Sequence, residues 1–343
     1  MEKTCTKPLN LITDVQGIKV GNAHDANVKT GVSIVMGDEP FVTSAAIHGG
    51  APGTRDVALL EPEQTVDGVD ALFLSGGSAF GLESGTGIQN ALAKMGRGFD
   101  VGGIRIPIVP GAILFDLLNG GNKNWGDISP YNSLGKQAVA NAATDFALGS
   151  AGAGFGATTA DLKGGLGSAS TRLSNGATVG ALVAVNALGR TTIGSTAHFW
   201  AAPFEKGNEF GGKGYPSPMP EDAHKVVTKL PASGDEPTAG SNTTIAIVAT
   251  DLPLTKAEAK RLAVAAHDGL SRAIWPSHTP LDGDMVFAVS TGKVGNAPAL
   301  PEFLELCAVA ASTLSRAVAR GIYNASPMES DLMPTWKSKF GSK

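Results

Sequence analysis

The sequence predicts a mixed α/β or α+β fold, because short apolar runs rich in β-branched residues are interspersed with segments of helical periodicity. The chain of 343 residues is long enough for one large domain or two ordinary ones, and either could bury a sizeable core. Its 45 glycines are nearly twice the usual share of about 7%, which indicates many tight turns and close backbone contacts. Six runs are predicted as strands, namely 31–36, 71–74, 104–109, 177–185, 243–250 and 285–291.

Two helices are predicted in the last third of the chain. The first begins at Thr255, whose spacing to Glu258 fits a capping box, and apolar residues then recur every four positions from Leu262 to Ile274. The second covers about 301–323 and carries one apolar stripe, formed by residues 304, 307, 311, 314 and 318. Helices and strands therefore alternate in this region.

The segment 204–241 differs in composition from its surroundings. It is dense in Gly, Pro, Lys, Glu and Asp and shows no sustained periodicity, so it is predicted to be a long exposed linker. Structureless segments longer than about 12 to 15 residues are usually functional or disordered. The predicted strand that begins at Thr243 follows at once, so a processing site here would be accessible on one side and firmly held on the other.

The composition excludes several classes of protein. The formal net charge is -4 and there is no Lys/Arg-rich run, which argues against nucleic-acid and membrane-surface partners and favours a small organic ligand. Only Cys5 and Cys307 occur, so a disulfide framework is not expected. No apolar run approaches the length of about 18 residues that spans a membrane, and the first residues do not resemble a secretory signal. We expect a cytoplasmic protein.

Cofactor and metal motifs are not supported by the sequence. The glycines at 152, 154 and 156 superficially suggest a dinucleotide site, but no helical run or acidic ribose ligand follows at the required distance. In the run 76–81, Phe80 stands where the Gly-x-Ser-x-Gly elbow of Ser-His-Asp hydrolases requires glycine. The six histidines show no metal-ligand spacing. We therefore expect no cofactor and no metal.

Four polar residues have both an ordinary and a functional interpretation. Asp282 and Asp284 flank Gly283 before a predicted strand, where they could form a hydrogen-bonded turn or could orient an ammonium group in a site. Lys163 could be a solvated loop lysine, and Asn186 could be a turn residue that ends a strand. Local sequence leaves both interpretations open for each of them.

Several motifs together resemble one known family. They are GGSAFGLESGTGI at 76–88, GSAGAGFGATTADLKGGLGSAS at 149–170, VAVNALG at 183–189, GSNTTIAIVATD at 240–251 and HTPLDGDMVFAVSTG at 278–292. Their order and spacing are similar to those of the self-processing L-aminopeptidase/D-esterases, β-peptidyl aminopeptidases and nylon-oligomer hydrolases. The resemblance covers most of the chain, which makes it more specific than any single motif.

The resemblance implies that the chain cuts its own backbone between Asn242 and Thr243. The fragments would be 1–242 and 243–343, which together form a single domain, and Thr243 would become the N-terminal nucleophile. A threonine hydroxyl needs an adjacent base, and an N-terminal threonine supplies one in its own α-amine, whose pKa is about 7.7 to 8.0. Before scission that amine is an amide, so the uncut chain should be a zymogen.

The resemblance also assigns roles to the remaining polar residues. Asn186 would donate a side-chain N–H to the oxyanion, and Lys163 would lie beside Thr243 and favour its neutral amine. Asp282 and Asp284 would orient the amine and hydroxyl of Thr243 and could receive a cationic group of the substrate. The pocket would be lined by Gly77, Ser78 and Phe80.

The sequence departs in places from each branch of this family. Thr243 replaces the serine of the aminopeptidase branch, and together with Asp282 and Asp284 it is closer to the nylon-oligomer branch. Phe80 replaces a tyrosine of that second branch and so removes a hydroxyl from the pocket. The substrate class is therefore a peptide or peptide-like oligoamide, with its chain length and stereochemistry left open.

The family's architecture is the final expectation. It is a four-layer αββα sandwich that resembles N-terminal nucleophile hydrolases with different strand connectivity, assembled as a homotetramer of cleaved protomers. Two alternative functions stay open at this point. One is an acyltransferase of the ornithine-acetyltransferase type, which also cleaves itself before a threonine, and the other is an unprocessed, non-catalytic binding protein.

Overall fold

The fold was analysed in a computed structural model, which describes residues 8–229 and 242–341. The strands are β1 (Ile18–Asp25), β2 (Thr30–Ile47), β3 (Thr54–Arg55), β4 (Val69–Ser75), β5 (Phe99–Val101), β6 (Ile104–Ile106), β7 (Gly111–Ile113), β8 (Gly165–Arg172), β9 (Thr178–Asn186), β10 (Thr243–Thr250) and β11 (Met285–Ser290). The α-helices are α1 (Glu83–Lys94), α2 (Tyr131–Ala140), α3 (Lys256–Ser271), α4 (Leu300–Tyr323) and α5 (Trp336–Phe340).

The long strand β2 belongs to two sheets. Its first part pairs with β1 and β4, and β4 continues through β7 to β3. Its last part, from Val42 to Ile47, pairs with β11, which continues through β10 and β9 to β8. The pairing with β4 is irregular between Met36 and Phe41, where the strand passes from the first sheet to the second.

Three separate clusters of buried apolar residues show how the layers are stacked. One lies between α1, α2 and the first sheet, and it includes Ile34, Phe73 and Ile88. Another joins the inner faces of the two sheets, and the third packs the second sheet against α3 and α4. The order is therefore helices, sheet, sheet, helices, and the predicted four-layer αββα fold is confirmed.

Strand β10 occupies the centre of the second sheet. All eight of its residues are buried, because it pairs with β9 on one side and β11 on the other and is covered on both faces. Its side chains alternate as strand geometry requires: Ile245 and Ile247 face the other sheet, whereas Ala246 and Val248 face the helices. A strand buried on both faces has the continuous apolar sequence seen here.

Five of the six predicted strands lie within or almost coincide with observed strands. The sixth, predicted at 104–109, is only three residues long and pairs with β5 in an exposed hairpin. Pro107 follows it directly, and a proline cannot donate a hydrogen bond to a ladder. The prediction at 104–109 was therefore too long.

The two predicted helices are observed as α3 and α4. The capping box is present, since Thr255 Oγ1 accepts a hydrogen bond from the Glu258 N–H at 3.2 Å and Glu258 Oε2 accepts one from the Thr255 N–H at 2.8 Å. Helices α1 and α2 were not predicted, because glycines interrupt their apolar pattern. Those glycines permit close packing: a Cβ on Gly87 would lie 2.0 Å from Asn132 O, and one on Gly135 would lie 2.4 Å from Ser84 O.

The predicted linker 204–241 is described as far as residue 229, and its remainder lies outside the described residues. Residues 205–229 form neither helix nor strand, and most of their side chains are exposed or half-buried. Two anchors attach the segment to the body: Phe210 is buried, and Glu209 is paired with Arg316 of α4 at 2.6 Å. Within the described ranges, no helix combines the length and apolar character needed to cross a membrane.

Candidate active site

Thr243 is the first residue of β10, and its hydroxyl faces the preceding peptide. Thr243 Oγ1 donates a hydrogen bond to Asn242 O at 2.5 Å. The same carbonyl oxygen accepts the N–H of Gly283 at 2.9 Å, and Asn242 forms an isolated β-bridge with Asp282. Thr243 and Asn242 are both buried. The peptide bond between them is thus fixed on one side by a strand and on the other by the loop before β11.

The two carboxylates of this loop hold backbone close to Thr243. Asp284 Oδ1 accepts the Thr244 N–H at 2.7 Å, and its Oδ2 lies 2.9 Å from His278 Nδ1. Asp282 Oδ2 accepts hydrogen bonds from the N–H and hydroxyl of Thr279, at 3.0 and 2.7 Å. The Asp284 carboxylate therefore contacts the start of β10, whereas the Asp282 carboxylate closes the turn of its own loop.

Burial and neighbouring charges shift the pKa values of Asp282 and His278 in this loop. Burial raises the pKa of Asp282, and the negative charge of Asp284 raises it further. Burial alone would lower the pKa of His278, but its contact with Asp284 outweighs burial and the pKa lies above the ordinary value. A proton is accordingly retained more readily on the Asp282 carboxyl and on the His278 ring than on either group in water.

Asn186 ends β9 directly opposite Thr243, as its partner in the antiparallel register. Its side chain is fully buried. Asn186 Nδ2 donates to Phe115 O at 2.9 Å, and Asn186 Oδ1 accepts the N–H of Thr158 at 3.0 Å. The structure thus brings Asn186 next to Thr243, and its predicted role as the oxyanion donor stays a prediction.

A lysine that the sequence analysis did not select also lies here. Lys229 Nζ donates to Asn186 Oδ1 at 2.9 Å and to Thr158 O at 3.1 Å. Burial lowers the pKa of Lys229 to about 7, against the opposing influence of the Asp282 and Asp116 carboxylates. Its position in a segment predicted to be an exposed linker concealed it, because that segment shows no periodicity that would indicate a buried lysine.

Lys163 lies in a different ion-pair group. Its Nζ is 2.7 Å from Asp331 Oδ2, and Lys29 Nζ is 3.3 Å from the other oxygen of that carboxylate. Among the described residues, no hydrogen bond links Lys163 to Thr243. It is nevertheless near the site through the backbone, because it forms a β-bridge with Thr158. Its predicted place beside the nucleophile stays a prediction.

The predicted pocket loop is held by Asp116, which directly follows Phe115, the residue whose carbonyl accepts from Asn186 Nδ2. Asp116 Oδ1 accepts the Gly77 N–H at 2.8 Å, and Oδ2 accepts the Thr30 hydroxyl at 2.7 Å. Gly77 has φ +88° and a Cβ there would collide with the ring of Tyr131 at 2.1 Å, so glycine is required for two reasons. Burial raises the pKa of Asp116.

The other two predicted pocket residues follow this glycine in the chain. Ser78 also has a left-handed backbone, with φ +51°, and its N–H donates to Leu114 O at 2.9 Å. Phe80 is half exposed and its ring meets Trp125 edge-on, with 5.5 Å between ring centroids. The loop therefore presents an aromatic surface to solvent while its glycine backbone is fixed on Asp116.

One group of described residues has the composition of a metal site. One ring nitrogen from each of His48, His267 and His278 lies within 4.8 Å of the others. The rings of His48 and His267, however, are stacked with 3.8 Å between centroids and an angle of 14° between planes. Imidazole lone pairs lie in the ring plane, so two nearly parallel rings do not direct them at one point. This arrangement does not favour a metal.

Comparisons with known proteins give concordant matches. The model of the peptidase family S58 matches residues 10–333. An uncharacterized aminopeptidase of Mycobacterium tuberculosis is 40% identical, covering 97% of this chain and 98% of the relative. A 6-aminohexanoate-oligomer endohydrolase of Kocuria sp. is 27% identical, covering 82% of this chain and 75% of the relative.

Solved structures are similar over nearly the whole chain. A beta-aminopeptidase from Burkholderia sp. has a TM-score of 0.66 at 20% identity, covering 97% of this chain and 92% of its own. The L-aminopeptidase D-ala-esterase/amidase of Ochrobactrum anthropi has a TM-score of 0.63 at 20% identity, with the same coverage of both chains. The latter is described as a new variant of the Ntn hydrolase fold, so the predicted relation to N-terminal nucleophile hydrolases is confirmed at the level of the fold.

Proposed function

Because the chain belongs to peptidase family S58 and is an amide hydrolase, we propose that Thr243 is its nucleophile and is freed by self-cleavage after Asn242. The observation that carries this proposal is the 2.5 Å contact between Thr243 Oγ1 and Asn242 O. A hydroxyl so close to a carbonyl oxygen is also adjacent to the carbonyl carbon that it would attack. The Gly283 N–H, at 2.9 Å from that oxygen, supports the same step, since it would stabilise the negative charge that develops there.

The scission then follows as an acyl shift. Thr243 Oγ1 forms a bond to the Asn242 carbonyl carbon and gives up its proton, the C–N bond breaks, and the nitrogen takes a proton to become the α-amine of Thr243. Water hydrolyses the resulting ester and leaves a carboxylate on Asn242. The buried setting supports this order of events, because the loop and the strand hold the reacting groups without help from a substrate.

The freed threonine would be the catalyst for external amides. Its α-amine would accept the hydroxyl proton, and Thr243 Oγ1 would attack the substrate carbonyl while Asn186 Nδ2 donates to the oxyanion. Asp284 is suited to orient the new amine, since its carboxylate already contacts the Thr244 N–H at 2.7 Å. Lys163, in our proposal, contributes positive charge at the edge of the site. Release of the amine and hydrolysis of the Thr243 ester would complete the cycle.

The substrates proposed are small peptides or peptide-like oligoamides. The named relatives support both, since one is an aminopeptidase by name and another is a 6-aminohexanoate-oligomer endohydrolase. Phe80, which is half exposed beside Trp125, gives the proposed pocket an apolar wall suited to aliphatic or aromatic groups. Hydrolysis is preferred to acyl transfer, because the matched relatives and family are hydrolases. Association of the two fragments and a homotetramer stay predictions.

The decisive measurement is the intact mass of freshly purified protein under denaturing conditions. We expect a fragment of 101 residues that begins Thr-Thr-Ile-Ala-Ile, together with a complementary fragment of 242 residues. Thr243→Ala should give only the full-length chain and no turnover, whereas Thr243→Ser should retain some scission because a hydroxyl survives. A wild-type chain that stays intact after long incubation yet hydrolyses amides would refute the self-cleavage proposal.

A further inference from the structure

Lys229 is a half-buried cation that the mechanism proposed above does not use. Its ammonium group donates to the side-chain and main-chain oxygens of Asn186, at 2.9 and 3.4 Å, and to Thr158 O at 3.1 Å. Its backbone N–H donates separately to Leu188 O at 2.9 Å. The main chain at Lys229 is therefore anchored to the end of β9 independently of the side chain.

The hydrogen bonds around Asn186 determine which way its amide faces. Asn186 Oδ1 accepts two donors, the N–H of Thr158 at 3.0 Å and the ammonium of Lys229 at 2.9 Å. Asn186 Nδ2 has two N–H groups, and Phe115 O accepts from it at 2.9 Å. An exchange of Oδ1 and Nδ2 would turn the NH2 group toward the Lys229 ammonium. The charge-assisted hydrogen bond from that ammonium to Asn186, the strongest of these contacts, would then be lost.

The charges near Lys229 favour this arrangement. The Asp282 and Asp116 carboxylates are the charged groups that act on its ammonium. Burial lowers the pKa of Lys229 to about 7, and these two carboxylates limit the decrease. The contacts that fix the ammonium are its hydrogen bonds to the Asn186 and Thr158 oxygens, and the two carboxylates add a longer-range attraction.

We propose that Lys229 is a positioning residue, which holds the Asn186 amide so that its N–H side faces the oxyanion of the acyl-transfer step. This inference rests on the proposed function, since it requires Asn186 to be the oxyanion donor. It assigns a catalytic contribution to a residue of the segment that precedes the scissile bond. The contribution is indirect, because Lys229 contacts Asn186 and not the reacting atoms.

The test is a double-mutant cycle between Lys229→Met and Asn186→Ala. Methionine keeps the length of the aliphatic chain and removes the donor, and the backbone anchor to Leu188 is unaffected. The four proteins are compared on the chromogenic aminoacyl anilide that the wild type hydrolyses fastest. Because processing could also change, kcat is calculated per molecule of the 101-residue fragment, which is quantified by mass spectrometry.

A positioning role predicts a loss in kcat that depends on Asn186. Lys229→Met should lower kcat about 10- to 100-fold with little change in KM, the range expected for a hydrogen bond to a charged group. In the Asn186→Ala background the same change should lower kcat by about twofold at most, because the amide that Lys229 holds is gone. Lys229→Arg should recover part of the activity, since arginine also donates to an amide oxygen.

Rescue by a small amine separates positioning from folding. Lys229→Ala lacks the atoms of n-propylammonium, so addition of that cation should raise kcat in a saturable way, whereas tetramethylammonium at the same ionic strength should not. Lys225→Met is the matched control, because Lys225 is an exposed lysine of the same segment, and it should leave kcat unchanged.

The outcomes separate the role of Lys229 from the role of Asn186 in the proposed function. Equal losses from Lys229→Met in both backgrounds, a loss confined to KM, or no loss would overturn the role of Lys229 and leave the proposed function intact. An Asn186→Ala variant with wild-type kcat would instead refute Asn186 as the oxyanion donor, and the inference would fail with it. A positioning role would also be contradicted if n-propylammonium did not raise the kcat of Lys229→Ala and if Lys229→Arg were no more active than Lys229→Met.

Discussion

Gly283 shows how much of the site depends on a residue without a side chain. Its N–H reaches Asn242 O at 2.9 Å, and a Cβ on it would lie 2.8 Å from Thr243 Oγ1 and 2.7 Å from Ala51 O. The loop must therefore run so close to the nucleophile that a methyl group does not fit. Sequence analysis had selected the aspartates on either side of this glycine and not the glycine itself.

Gly283→Ala should accordingly slow the scission at Asn242 by about 10- to 100-fold or more, because the hydroxyl of Thr243 or the N–H donor must be displaced. The measurement is the fraction of cut chain against time, by denaturing mass spectrometry. Gly68→Ala is the control, since a Cβ at Gly68 would have its nearest contact at an ordinary 3.4 Å. Because alanine keeps the backbone N–H, equal rates of scission in wild type and Gly283→Ala would show that this step does not require the close approach of the loop to Thr243.

The sequence identified side chains better than it identified their partners. The strand register and the loop before β11 bring Asn186, Asp282 and Asp284 close to Thr243, and the roles predicted for them stay predictions. Lys229 was missed, since the lack of periodicity in its segment gave no reason to bury a lysine there. The pairing of Lys163 with Asp331 was not foreseen either, because the two are far apart in the sequence.

At the scale of elements, the segment 205–229 is attached to helix α4 by a buried ion pair. Arg316 Nε and Nη2 contact the two carboxylate oxygens of Glu209 at 2.6 and 2.9 Å, and Arg316 is 2% exposed. Burial alone would raise the pKa of Glu209, but its bonds to Arg316 outweigh burial and lower it. A segment with no regular structure is thereby fixed to the longest helix of the described chain.

Arg316→Met should destabilise the protein by about 3 kcal/mol, since it removes the closer of the two arginines paired with the Glu209 carboxylate and leaves Arg320 at 3.5 Å. The free energy of unfolding is measured by urea denaturation, and protease sensitivity within 205–229 should increase in parallel. The double variant Arg316→Met with Glu209→Gln should lose less than the single one. Arg261→Met, at an exposed position on α3, serves as the control and should change stability by about 0.5 kcal/mol at most. A single variant as stable as this control would contradict the argument.

Elements with a strong local signal were predicted, and elements formed by close packing were not. The strand Thr243–Thr250 and the cap of α3 could be recognised because each has a pattern of its own. Strand β8, with the sequence GLGSASTR, and helices α1 and α2 are rich in small residues, whose role is to let neighbouring backbones approach. Such contacts depend on the partner element, which local sequence does not specify.

At the scale of the whole molecule, acid should unfold the protein partly through His267. Its Nε2 lies 2.9 Å from Ala46 O, and burial lowers its pKa from 6.5 to about 3, with His48, His278 and Asp284 as its charged or titratable neighbours. Above pH 6.5 the His267 ring is neutral in both the folded and the unfolded state. It therefore does not make the free energy of unfolding depend on pH in that range. Between pH 6.5 and about 3 only the unfolded state binds the proton, and stability falls.

This linkage predicts a loss of about 2 kcal/mol at pH 5 relative to neutral pH from this one histidine. His267→Gln removes the titration and keeps a side chain that can donate to Ala46 O. The variant should therefore lose less stability than the wild type between pH 7 and pH 5, as measured by urea denaturation at each pH. Parallel pH profiles for the two proteins would show that His267 does not titrate in this range.

The sharing of β2 between two sheets has a consequence for the timing of events on the ribosome. Residues 42–47 of β2 are made early, but their partners in β11 are made at 285–290, and Gly283, whose N–H donates to Asn242 O, is translated after Thr243. At about 5 to 20 residues per second, roughly 2 to 8 seconds of translation separate Thr243 from this loop. On the proposal that Thr243 is the nucleophile, a nascent chain that has just acquired this residue lacks both the Gly283 donor and the sheet around it. The proposed scission after Asn242 would therefore wait until nearly the whole polypeptide is available to fold.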